Sequence, residues 1–213
     1  MVWSNTIKSI SQISTKTKVF LFKLIIHLSA SLPLINLYYL AFYDKLGADP
    51  VEQVINFTGI GAFNLLLLTL AVSPVAKQCR QAYLMKVRRL LGLYGFSYAW
   101  FHVTNFLAFD LQFAWGLFVS EIIKRPYITV GMFAFVLLSI LAITSYSLIK
   151  TKLGKTWQKL HNINYLIILL VAVHFYWSVK SELISPLFYF LLVIILLLFR
   201  YKKLKRLLLS RFR

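Results

Sequence analysis

Apolar residues run along this chain in long blocks separated by short polar intervals, without the strict alternation of half-buried strands. Six blocks read as candidate membrane spans: 19–42, 55–76, 90–109, 127–149, 161–178 and 186–200. All six are predicted to be helices, because an isolated strand cannot satisfy its backbone groups in lipid. Between Asp110 and Pro126, Leu111, Trp115, Phe118 and Ile122 recur at helical spacing. That pattern predicts a short amphipathic helix over 111–122 lying on the outer surface, either a connector resting on the membrane or a docking surface for a partner. The interval GADPVEQ (47–53) reads as a helix-entry loop with Asp49 capping or turning the chain. Trp115, Trp157 and Trp177 fall near span ends, where interfacial aromatics belong. No internal repeat or low-complexity segment is evident.

Composition agrees with the pattern. Of 213 residues, 60% are apolar and 14% charged, where a soluble domain carries about 25% charge. The formal charge of +18 would suit a nucleic-acid partner, but its distribution argues against one. Twenty of the 24 basic residues fall in the N-terminal tail and first turn, the intervals after the second and fourth spans, and the C-terminal tail. The opposite side holds Lys45, Lys124, Arg125 and Lys180 with all six acids. The positive-inside rule then places both termini in the cytoplasm. The expected organisation is a cytoplasmic tail over 1–18, a transmembrane bundle over 19–200 and a basic cytoplasmic tail over 201–213. The first residues do not read as a cleavable signal, since the apolar run starts near Val19 and is interrupted by Lys23 and His27. The single cysteine, Cys79, excludes an internal disulfide, a multi-cysteine metal site and C-x-x-C-H haem attachment.

The candidate chemistry lies in the histidines. All four sit in spans or at a span edge, and ionisable side chains there usually mark function. With the third and fifth spans entering from the cytoplasm, His102 lies about 18 Å deep and His174 about 20 Å from His161. Two imidazoles at one level on neighbouring helices can fill both axial positions of a haem that passes electrons. His102 and His174 are therefore the candidate ligands of an outer haem. His161, at the cytoplasmic edge, and His27, about 12 Å deep, are candidates for an inner one, with helix packing an alternative role for each. Thirteen residues separate His161 from His174, which leaves them about 140° apart on an ideal helix. Either that helix starts irregularly or the two do not face one cofactor column. Arg88, Arg89 and Arg125 are candidate contacts for haem propionates or a flavin phosphate, or are simply cations facing lipid. No nicotinamide-binding or nucleophile motif appears, so the electron donor is expected to be a separate protein, a bound flavin or a membrane quinol.

The segments GADPVEQVINFTGIGAFNLLLLTLAVSP, VRRLLGLYGFSYAWFHVTNF, IIKRPYITVG, KLGKTWQKLHNINYL, HFYWSVK and RYKKLK together resemble the YedZ/MsrQ family, which is similar to the ferric-reductase transmembrane domain. The resemblance runs from Gly47 to Lys205. It implies an all-α, six-helix, ferric-reductase-like cytochrome b of the bacterial inner membrane, with one or two haem b and FMN. Electrons would come from membrane quinol or a cytoplasmic flavin reductase. They would pass to a periplasmic molybdopterin-dependent methionine-sulfoxide reductase subunit, supporting repair of oxidised proteins. The family's haem-associated histidines match His102, His161 and His174. Arg88 and Arg89 stand where the wider superfamily carries an inner histidine on the third span. The alternatives are a cofactor-free membrane scaffold or transporter, and a stand-alone metal reductase.

Overall fold

The computed structural model describes residues 14–179, 183–201 and 205. Met1 to Ile13, Lys180, Glu182 and most of the basic C-terminal tail lie outside them. Among the described residues there is no strand. The helices are α1 (Thr15–Phe42), α2 (Pro50–Gln78), α3 (Arg88–Asn105), α4 (Trp115–Lys124), α5 (Pro126–Ile143), α6 (Ser147–Leu153), α7 (Lys155–His161), α8 (Asn164–Ser178) and α9 (Ile184–Leu198). A 3-10 turn (Ala82–Lys86) precedes α3 and a π-turn (Phe106–Asp110) ends it.

By length and composition α1, α2, α5 and the stretch Lys155–Ser178 can each cross a membrane. The pair Ala82–Asp110 and Trp115–Lys124 passes only jointly and is bent by 116°. The amphipathic helix expected over 111–122 is found as α4, starting at Trp115 and turned away from α3 through Gln112 and Phe113, whose φ angles are positive. The expected sixth span falls on α9, whose 15 residues are fewer than the roughly 20 of a full crossing. The fourth span stops at Ile143, short of the predicted 149. There the Thr144 and Ser145 hydroxyls bond back to the Ile140 and Leu141 carbonyls at 2.7 and 2.8 Å, an alternative to continuing the helix. The chain is a multi-pass helical membrane protein.

Local signals account for the helix ends. Asp49 caps α2, accepting from the Glu52 N–H at 2.9 Å, and Pro50 follows at the first position. Pro126 opens α5 in the same way. The core joins Phe63, Leu66, Leu67 and Leu70 of α2 to Leu138 and Leu141 of α5, Ile167, Ile168 and Ala172 of α8, and Val193 of α9. Many large apolar side chains instead face outward, among them Phe20, Ile25, Ile35, Leu68 and Ile143. In lipid such side chains give no drive to associate, so helices hold together by close packing at small residues. A Cβ on Gly61 would lie 2.5 Å from the Tyr98 ring, and Gly95 abuts Leu66. The Tyr98 hydroxyl donates to the Ala30 carbonyl at 2.6 Å, tying α1 to α3.

Candidate functional site

Two helix pairs dominate the packing, α2 with α3 and α5 with α8, and each carries one histidine on the same support. On α3, the His102 Nδ1–H donates to the Ile55 carbonyl of α2 at 2.9 Å. On α8, the His174 Nδ1–H donates to the Tyr127 carbonyl of α5 at 2.7 Å. A carbonyl only accepts, so both bonds put the proton on Nδ1 and leave Nε2 with its lone pair. One turn beyond each carbonyl stands a glycine. A Cβ on Gly59 would come 2.9 Å from His102 Nδ1, and on Gly131 2.6 Å from His174 Nδ1. Each ring therefore lies directly on bare backbone. The carbonyl, glycine and histidine of the first pair recur 72 residues later in the second. The arrangement recurs as geometry, carried by few sequence identities.

The two pairs bring the imidazoles together, with ring centres 6.2 Å apart and planes at 79°. A metal–imidazole bond is about 2 Å, and the ring centre lies roughly 1 Å beyond the nitrogen, so two imidazoles sharing one metal stand about 6 Å apart. The separation fits. Among the described residues no cluster of three or more His, Cys, Asp or Glu could hold a free metal ion. Two imidazoles alone suit an iron whose other four positions a porphyrin fills. Beside His102, buried Asn105 accepts from Tyr38 Oη at 2.9 Å and donates to Thr58 Oγ1 at 3.4 Å, linking α1, α2 and α3. The sequence reading missed this network, although an asparagine in an apolar span is itself a signal. Where α5 begins and α8 ends, Pro126, Tyr127 and Trp177 line a cavity of about 310 Å³.

The other candidates are dispersed. His161 ends α7, 3.2 Å from Thr144 Oγ1 through Nε2, and stacks on Trp157 at 4.0 Å. Trp157 Nε1–H in turn donates to the Thr144 carbonyl at 2.9 Å. Residues 162 and 163 break the helix between His161 and His174, so the irregular start holds. His27 is exposed on α1 and pairs through Nδ1 with Tyr94 Oη at 2.6 Å, beside Ser31. His27 and His161 thus engage different partners on different elements. Arg125 forms an ion pair with Glu121 at 2.5 Å and donates to Tyr127 Oη at 3.2 Å. Arg89 is exposed, whereas Arg88 is half-buried and lies in the field of Arg200. Arg200 entered the sequence reading only as one more basic residue of the C-terminal end. It is buried in the bundle.

The family described as "Ferric reductase like transmembrane component" matches residues 58–172, a stretch that contains one of the two supporting carbonyls, both glycines and His102. Relatives extend the match over most of the chain. One is the protein-methionine-sulfoxide reductase heme-binding subunit MsrQ of Klebsiella pneumoniae (strain 342), 42% identical over 86% of this chain and 93% of its own length. Another is the subunit of the same name from Cronobacter sakazakii (strain ATCC BAA-894), 40% identical over 90% and 96%. On these matches the chain belongs to the YedZ/MsrQ family of ferric-reductase-like transmembrane components.

Proposed function

We propose that this chain is a membrane cytochrome b carrying electrons outward to a periplasmic methionine-sulfoxide reductase subunit, which holds the sulfoxide chemistry. The observation that carries the reading is the pair of carbonyl-anchored imidazoles, His102 and His174, 6.2 Å apart. The relatives' printed name, heme-binding subunit, supports it. When bound, haem b supplies one-electron chemistry. The chain's residues fix its geometry. Ile55 and Tyr127 hold the proton on each Nδ1, which orients the ring and raises the basicity of Nε2. His102 and His174 would hold the haem through their free Nε2 atoms, and the group would supply electron transfer there. His161 is the candidate contributor to a second, inner haem. His27 is the weaker candidate, because its ring is tied to Tyr94.

The same reading places six spans in the bacterial inner membrane with both termini cytoplasmic, in keeping with the charge distribution. Membrane quinol or a cytoplasmic flavin reductase working through FMN would supply electrons, and the acceptor subunit would be molybdopterin-dependent. The test is the visible spectrum of the purified chain before and after dithionite, with haem and flavin counted per polypeptide. A reducible b-type signal with at least one haem is expected. A colourless chain would favour the scaffold or transporter reading, and reduction of ferric chelates without a partner would favour a metal reductase.

A further inference from the structure

Arg200 follows α9 and bonds to both α2 and α8, and it is 8% exposed. Pro74 has no N–H, so the Leu70 carbonyl one turn earlier lacks its helical donor. Arg200 fills that gap, donating from Nη2 to Leu70 O at 2.5 Å and from Nη1 to Tyr165 Oη at 2.9 Å. These bonds fix the guanidinium but leave its Nε–H buried with no partner. Among the described residues no carboxylate neutralises it. The one ion pair among them is Arg125–Glu121, at the end of α4. Other cations gather instead. Half-buried Arg88 lies in the field of Arg200 and has no hydrogen-bond partner among the described residues. His161 lies in the fields of Arg88 and Lys150.

A buried cation without a counter-charge is costly, and a second like charge beside it adds to the cost. An orphaned buried N–H adds a further demand. One bound oxyanion answers all three, because guanidinium groups bind carboxylate and phosphate through charge-assisted bonds. We propose that Arg88 and Arg200 form an oxyanion site at this end of the bundle, taking a carboxylate or phosphate group from a bound cofactor or lipid. Three sources share that chemistry: the haem propionates, the phosphate of flavin mononucleotide and an anionic lipid headgroup.

Arg88→Gln, Arg200→Gln and Arg200→Lys in the full chain are compared with wild type in three arms. The arms are the haem midpoint potential, the affinity for flavin mononucleotide against riboflavin, and the thermal midpoint in phosphatidylglycerol against phosphatidylcholine vesicles. The arm that responds identifies the source. For propionates, removing the charge lowers the potential. For the phosphate, affinity falls tenfold or more for flavin mononucleotide and not for riboflavin. For lipid, the advantage of phosphatidylglycerol disappears. Arg200→Lys should retain part of the effect. Arg88→Gln, which breaks no hydrogen bond, keeps the test readable if Arg200→Gln folds poorly. The flavin and lipid arms need no haem, so failure of this site is separable from failure of the cytochrome reading. Three unchanged arms in both glutamine variants overturn it.

Discussion

Gly131→Ala puts one methyl group against the support of His174. An added Cβ would lie 2.6 Å from Nδ1 and 2.8 Å from Cε1 of the ring, where ordinary contact begins at 3.4 Å. The overlap of about 0.8 Å cannot be relieved by a flexible chain end, because the neighbour is a rigid ring bonded to the Tyr127 carbonyl at 2.7 Å. The ring must move off that carbonyl. Losing the bond costs roughly 1 kcal/mol, and residual overpacking costs about 1–3 kcal/mol. Loss of a partner that orients a metal-bound histidine typically weakens metal binding about 10–100-fold. Gly59→Ala makes the same insertion with a closest approach of 2.9 Å, an overlap of about 0.5 Å, and should be milder. Gly116→Ala meets nothing within 4 Å and serves as the control. The assay is haem titration into the stripped chain, followed in the visible spectrum. Gly131→Ala should weaken haem retention 10–100-fold, Gly59→Ala less, and Gly116→Ala not at all. A Gly131→Ala protein that binds haem as tightly as wild type, with the same spectrum, would refute the proposed support.

Asn105→Ala leaves Tyr38 Oη and Thr58 Oγ1 without their shared partner and should cost about 1–3 kcal/mol, read as a lower unfolding midpoint in detergent. Retention of the wild-type midpoint would show that the network is idle. Pro74→Ala restores the N–H that Leu70 lacks, so Arg200→Gln should be milder in that background by roughly 1 kcal/mol, the coupling in a double-mutant cycle. Strict additivity would mean that Arg200 does not compensate for the proline. His27→Ala should keep the outer haem and its spectrum, because His27 bonds to Tyr94. Loss of that haem would place the ring in its binding site.

Most of the helices behind the expected spans, the amphipathic helix and the Asp49 cap are legible in the sequence because each rests on local chemistry: apolar run length, helical spacing, or a capping side chain. The closeness of His102 and His174 agrees with the matched depth expected from charge bias and helical rise. The supporting carbonyls and glycines are not legible, because a bond 47 residues long in sequence depends on which helices become neighbours. The break at 162 and 163 means that ideal helical periodicity does not relate His161 to His174. Arg200 was hidden because a cation after an apolar run reads first as an interfacial charge. Its signal lay elsewhere in the chain, in the proline that leaves Leu70 unsatisfied.

Electron paramagnetic resonance of the oxidised chain, compared with His102→Ala and His174→Ala, tests the central claim most directly. Wild type should show low-spin ferric haem with two imidazole ligands. Either substitution should remove that signal or convert it to a high-spin form. A wild-type low-spin signal persisting unchanged in either variant would contradict the assignment of these two histidines.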